Sequence, residues 1–350
     1  MIDDLKKLIC IESVSGNEKE ITDFLEEEMR QHIPGELFRY QENLIWKCPE
    51  FDPKKQTILL VTHTDTVPFQ PDDWKITPPL IPFEKDGKLY GRGSCDMKSG
   101  AAIMLDIMKR KLYGEQYNLL SVFYADEERG KHNGIREMIA NNILPKADFA
   151  IVLEPSDAKV NYGVFGYFDF EIQTTGKAVH SSKAKEGENA IVKLFPIINE
   201  IHNLLFETVD GTEESVSVNL IGGGNAINTV PDRAWARGNM RFNPSYSKEA
   251  LLARFPDQTQ YNYTLKEVSF YPGFVADTEY PLLKKLFNVA GRDGAFVASF
   301  WTDIDSLGHY GIPAVNFGPG DIRVAHTADE WVDIENMERV RDALIRFFTE

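Results

Sequence analysis

The chain has 350 residues, 43% of them hydrophobic and 26% charged, and a formal net charge of −16 at pH 7. That composition describes a packed globular protein, long enough for two domains. The acidic balance argues against a nucleic-acid backbone or an anionic membrane surface as partner. Cys10, Cys48 and Cys95 are scattered and form no CxxC pair, so neither a disulfide framework nor a zinc–thiolate site is expected, and a cytoplasmic setting fits. The stretch MIDDLKKLIC lacks the basic start and apolar run of a signal peptide. No apolar run nears the ~20 residues that span a bilayer.

Residues 1–31 read as helical, with Ile21, Phe24, Leu25 and Met29 on one face and Ser15 or Asn17 as candidate caps. Strands and helices then alternate. TILLVT is an apolar strand, SGAAIMLDIMKRKL a helix that Ser99 could cap, LLSVFYA a strand, NGIREMIA a short helix and ADFAIVL a strand. Nearly unbroken apolar strands separated by helices predict a buried, mostly parallel sheet flanked by helices. From about residue 164 the pattern changes. YFDFEIQTTG, SVSVNLIGGG, RAWARGNMRFN and YNYTLKEVSF alternate apolar and polar, as antiparallel strands with one wet face do. Helices are expected at NAIVKLFPIINEIHNLLFE and near SKEALLARF. The α/β style resumes near 273 with YPLLKKLFNVA, GAFVASF, IPAVNF and NMERVRDALIRFF. This order predicts an α/β domain of residues 1–163 and 273–350, interrupted by an inserted α+β domain of residues 164–272.

Ligands of open α/β sheets bind beyond the carboxyl ends of the strands. TILLVT is followed there by His63 and Asp65, LLSVFYA by Glu127 and Glu128, and ADFAIVL by Glu154. GRGSCDMKSG brings Asp96 to a helix start, and GPGDIRVAHTADEW offers His326 in a loop. Singly, His63 could be a buried structural histidine, and the paired glutamates a solvated loop. Together they are too many acids for one cleft without a divalent cation, since crowded carboxylates repel. His, Asp and Glu without Cys suit Zn²⁺, Co²⁺ or Mn²⁺. An acid shared between two cations, with one His and one Glu completing each, is a hydrolytic arrangement. Asp65, on the same strand side as His63, is placed to orient that imidazole. Glu127 is left over as general base.

HTDTVP, LYGRGSCDMKSGAA, YADEERG, LEP, HSS…GENAI and GPGDIRVAHTADE occur in the order seen in the aminoacylase, carboxypeptidase-G and succinyl-diaminopimelate desuccinylase metallopeptidases, and the chain resembles that family from about residue 5 to its end. The resemblance is strongest to the actinobacterial-type desuccinylases. It implies a metal-dependent exopeptidase-like catalytic domain with a lid and dimerisation insert, and hence a homodimer. It implies two divalent metal ions, Zn foremost: His63 and Glu154 on one, Glu128 and His326 on the other, Asp96 bridging, with a cis bond after Asp96. Asp65 matches the orienter and Glu127 the base. His180 matches a histidine that reaches a neighbouring active site to stabilise an oxyanion. Asn228, Arg241 and Gly318, with Gly320, match positions near substrate. The substrate implied is an N-acyl amino acid or short peptide. A dipeptidase, a carboxypeptidase or an N-acetyl-amino-acid deacetylase is the alternative within the family. One departure stands out: many proteobacterial desuccinylases carry an Arg, thought to read the succinyl carboxylate, where this chain has Phe165. An aromatic there would suit a more apolar group. A nucleotide-binding oxidoreductase is the competing class, but GRGSCD starts like G-x-G-x-x-G and ends in Asp96.

Overall fold

The computed structural model describes residues 1–129 and 134–350. The chain divides into two compact units, one of residues 1–162, 276–296 and 302–350, the other of residues 163–275 and 297–301.

The first unit opens with α1 (Ile2–Ile9) and α2 (Lys19–His32), followed by the hairpin of β1 (Glu36–Tyr40) and β2 (Asn43–Lys47). The stretch read as helical over 1–31 is therefore two helices with an irregular segment between them. The cause is tertiary: residues 13–15 pair with the chain that leaves β3 (Thr57–His63), through Ser15 N to Thr66 O (3.1 Å) and Thr66 N to Ser13 O (2.9 Å). Ser15 is thus used elsewhere, and α2 starts without a side-chain cap. The short strands β4 (Phe83–Lys85) and β5 (Lys88–Tyr90) precede α3 (Lys98–Lys109). Ser99 lies inside α3, not at its cap. Then come β6 (Asn118–Tyr124), α4 (Gly134–Ala140) and β7 (Phe149–Pro155).

Every residue of β3, β6 and β7 is buried, as required of strands covered on both faces. They run parallel, with Thr57 opposite Asn118, His63 opposite Tyr124, and Ile58 opposite Phe149. β2 adds antiparallel to β6. Their carboxyl ends therefore share one edge of the sheet.

The chain continues through β8 (Asn161–Val164) into the second unit. β9 (Gly166–Thr175), β12 (Ser215–Gly223), β13 (Arg233–Phe242) and β14 (Tyr263–Tyr271) form an antiparallel sheet in the order β12-β13-β9-β14. Between β9 and β12 lie α5 (Ala190–His202), capped by the Asn189 side chain, and the hairpin of β10 (Thr208–Val209) and β11 (Thr212–Glu213). That hairpin turns through Asp210 and Gly211, both at positive φ, the chemistry two-residue hairpins favour. Short helices α6 (Lys248–Leu252) and α7 (Gln258–Tyr261) precede β14. One sheet face, with Phe168, Phe170, Ile172, Ala236 and Met240, packs with Leu194, Ile197 and Ile201 of α5 in a single core. β15 (Phe274–Val275) pairs with the end of β8.

Back in the first unit, α8 (Pro281–Ala290) packs on α10 (Ile334–Thr349), and α10 with α1 on α3. Between them run β16 (Phe296–Ala298), α9 (Ile304–His309), β17 (Ala314–Gly318) and β18 (Trp331–Asp333). Residues 297–301, which the sequence pattern groups with the α/β part, pack in the second unit. There Val297 O accepts from Thr212 Oγ1 (2.6 Å) and Trp301 lies against Tyr271. β17 lies parallel to β7, with Ala314 opposite Ala150.

Candidate metal centre

β3 ends on His63, β6 leads into Glu127 and Glu128, and β7 carries Glu154 beside its last residue. Asp96 precedes α3, and the peptide bond after it is cis. Its carboxylate stands between two imidazoles: Oδ1 is 3.0 Å from His63 Nε2 and Oδ2 is 3.2 Å from His326 Nε2. Glu154 Oε1 lies 3.8 Å from His63 Nε2, and Glu128 Oε2 2.9 Å from His326 Nε2. Ligand-type atoms of His63, Asp96 and Glu154 fall within 4.8 Å of one another, and so do those of Asp96, Glu128 and His326. A third such group, His63, Glu127 and Glu128, adds Glu127 to the same cluster. All six residues brought together here are among those singled out from the sequence.

The electrostatics follow from this crowding. Burial pushes the Glu127 carboxyl well above the usual range, with Glu154 adding to the rise. Burial and Asp96 do the same to Glu154 and, less strongly, to Glu128. Burial would lower the His63 pKa, but Asp65 and Asp96 raise it well above ordinary imidazole. Asp96 and Glu128 raise His326 to about 10. Burial opposes ionisation of Asp96, yet the two histidines hold it well below the usual carboxylate range. The cluster as it stands balances its acids by retaining protons. Two imidazoles and four carboxylates, with no thiol among them, are a donor set that divalent cations satisfy in place of those protons.

Asp65 does more than the sequence suggests. His63 Nδ1 is nearer the Asp65 main-chain oxygen (3.0 Å) than its carboxylate (3.5 Å). The carboxylate, wholly buried, accepts from Ser15 Oγ (2.6 Å), Glu127 N (3.1 Å) and Glu128 N (3.1 Å). One carboxylate therefore fixes the backbone of both glutamates. Glu18 supports the same turn, accepting from Gly16 N (2.8 Å) and Asp126 N (3.1 Å). Ser15, Glu18 and a buried Glu330 escape the sequence reading. Ser15 acts on the Asp65 carboxylate, and Glu18 and Glu330 on main-chain amides of distant segments; the only signal for Glu330 is its place in HTADEW.

Gly318 passes close to the end of β7: a Cβ there would lie 2.2 Å from Leu153 O and 2.4 Å from Glu154 O. Its amide already donates to Ser156 Oγ (2.9 Å). Gly320 meets Cys95 O in the same way, at 2.6 Å. Both glycines thus bring backbones together around Glu154 and Asp96.

His180, Asn228 and Arg241 belong to the second unit. His180 is exposed and pairs in a bridge with Thr229, while Ser181 N donates to Asn228 O (2.9 Å). Its Nδ1 accepts from Ser182 N (3.2 Å), which leaves the ring proton on Nε2 as an outward donor. The Arg241 guanidinium stacks over the Tyr167 ring at 4.2 Å. Its Nη1 is buried without a hydrogen-bond partner among the described residues. Phe165, by contrast, is completely buried.

The sequence matches Peptidase family M20/M25/M40 over residues 59–350. It is 28% identical to a Corynebacterium glutamicum succinyl-diaminopimelate desuccinylase, over 99% of this chain and 95% of that one. It is 31% identical to a Mycobacterium tuberculosis chain that carries the same name provisionally, over 97% and 95%. Among solved structures, aminopeptidase PepT from Bacillus cereus superposes with a TM-score of 0.79 at 20% identity, covering 99% of this chain and 96% of that one. A dinuclear metal binding peptidase from Bacillus subtilis superposes at 0.70 and 17%, covering 99% and 96%. Among the described residues no helix is long and apolar enough to cross a membrane. With the family matched over most of its length and a relative at 31% identity across nearly all of it, the chain belongs to Peptidase family M20/M25/M40.

Proposed function

We propose that this protein is a two-metal amidohydrolase that cleaves the amide bond of an N-acyl amino acid, in the manner of a succinyl-diaminopimelate desuccinylase. The observation that carries this is Asp96 facing His63 with one carboxylate oxygen and His326 with the other. His63 and Glu154 would hold one cation and Glu128 and His326 the second, with Asp96 shared. Zn²⁺ is the proposed metal, with Co²⁺ and Mn²⁺ suited to the same donors. When bound, such cations polarise the substrate carbonyl and bring the pKa of water from 15.7 to roughly 7.

The protein's own residues do the rest. Glu127 takes a proton from the attacking water on its carboxylate and hands it to the leaving amine nitrogen. Asp65 holds Glu127 and Glu128 in register through their amides. The Arg241 edge that lacks a partner would pair the substrate carboxylate. His180, offering Nε2–H, and Asn228 beside it would meet the substrate in a homodimer, the histidine stabilising the oxyanion from the partner subunit. The inserted domain, residues 164–272, would make the dimer. Its sheet ends on β12, an edge strand, and it exposes Leu220, Ile221, Val192, Phe195 and Ile227, apolar surface that a monomer seldom leaves open. A cytoplasmic location accords with three cysteines, none of them bridged.

The test is a panel of N-succinyl, N-acetyl and dipeptide substrates ranked by kcat/KM, with and without a chelator. N-succinyl-diaminopimelate should rank first; a dipeptide or acetyl substrate in that place contradicts the substrate assignment. Glu127→Ala should lower turnover by orders of magnitude with metal content near normal, and unchanged turnover removes Glu127 from the mechanism.

A further inference from the structure

Four residues beyond His326, in the same motif, Glu330 has no exposed surface. Its Oε2 accepts from Arg92 Nη1 (2.7 Å) and Gly93 N (3.0 Å), and its Oε1 from Cys95 N (2.8 Å) and Asp96 N (3.0 Å). Its main-chain oxygen accepts from Gly91 N (3.0 Å). Both carboxylate oxygens thus meet only donors, which is the environment of an ionised carboxylate. Main-chain amides wrapped around an anion form a nest, here with the anion supplied by the chain itself.

We propose that Glu330 is the positioning residue for Asp96: it sets the backbone from which the shared carboxylate is aimed. This rests on the two-cation reading above. Asp96 must present one oxygen to His63 and the other to His326 at once, so a small turn of its backbone spoils both contacts. Glu330 holds the Asp96 amide directly, and it lies in the short segment that also carries His326. One side chain therefore ties the shared acid to a ligand of the second cation. It does so without touching either imidazole, so its effect is on geometry.

The experiment titrates metal-free wild type and Glu330→Gln with CoCl₂ by calorimetry, together with circular dichroism and thermal unfolding of the metal-free forms. Gln keeps the size but turns an NH₂ group toward amide donors. Glu330→Gln should stay folded and bind cobalt ~10–100-fold more weakly, the range for removing an outer partner of a metal ligand. Glu330→Asp, which keeps the charge, should recover part of that loss. A purely structural role would lower the unfolding temperature and leave cobalt affinity alone. If wild type takes up two cobalt ions and Glu330→Gln does so with equal affinity, this inference is overturned. If wild type fails to bind two, the two-cation reading falls instead. Should Glu330→Gln not fold, Arg92→Gln decides, since it keeps every amide bond to Glu330: several-fold weaker cobalt binding supports the role, and unchanged binding overturns it.

Discussion

Replacing Asp65 with Asn changes one atom in the carboxylate that fixes both glutamates. Asp65 is wholly buried, so no bulk water repairs the change. Its two oxygens accept from Ser15 Oγ, Glu127 N and Glu128 N. In Asp65→Asn one oxygen becomes an NH₂ group aimed at a main-chain N–H. The Ser15 hydroxyl can rotate to accept from it, but a main-chain amide cannot, so one buried donor is orphaned at a cost of ~1–3 kcal/mol. Relief of that clash moves the turn that carries Glu127 and Glu128, and a displacement of ~1 Å at a reacting group costs ~100-fold in rate. Asp65→Asn should therefore lose about 2 kcal/mol in urea unfolding of the metal-free protein. Its kcat should fall ~100-fold with KM little changed. Wild-type kcat together with wild-type stability would refute the view that Asp65 works through the two amides.

Further outcomes follow from two groups, His326 and Arg254. His326, raised to about 10 by Asp96 and Glu128, is protonated at neutral pH, yet an imidazole must be neutral to bind a metal. Cation uptake should expel protons, and apparent affinity should climb with pH toward about 10; calorimetric heats that do not vary with the ionisation heat of the buffer would contradict this. The same raised pKa means that the pairing stabilises the metal-free fold fully below pH 6.5 and is lost as pH rises through about 10. In the second unit Arg254 makes paired contacts of 2.8 Å and 2.8 Å to Glu214, whose side chain has 0% exposure. Arg254→Ala should destabilise by ~1–3 kcal/mol, since the buried Glu214 carboxylate then keeps only the amides of Glu207 and Asn243; a loss under ~1 kcal/mol in chemical unfolding would show the pair to be dispensable.

How much of the molecule is readable from its sequence depends on the range of the interaction concerned. Apolar runs such as TILLVT declare buried strands, and the acids and histidines that follow them are adjacent in the chain. His63, Glu128 and Glu154 can therefore be placed at one sheet edge from the sequence alone. Asp96 and His326 need the family motifs, because loops bring them in. The candidate caps Ser15 and Asn17 place the start of α2 close to Lys19, but the cause of the break, residues 13–15 pairing with Thr64 and Thr66, is a contact that helical periodicity does not register. Asp65 shows the same limit: its strand position points to His63, whereas its carboxylate mostly serves the amides of Glu127 and Glu128. Glu330 is invisible as a functional group for a related reason, because its partners are the Arg92 side chain and the backbone donors of Gly93, Cys95 and Asp96. Phe165 reads as a substrate contact in sequence, but it lies within packed interior.

The central claim is a pair of cations sharing Asp96, and anomalous diffraction at the zinc edge from zinc-loaded crystals tests it most directly. The account predicts two peaks flanking the Asp96 carboxylate, one against His63 and Glu154 and the other against Glu128 and His326. A single peak, or peaks away from Asp96, would contradict it.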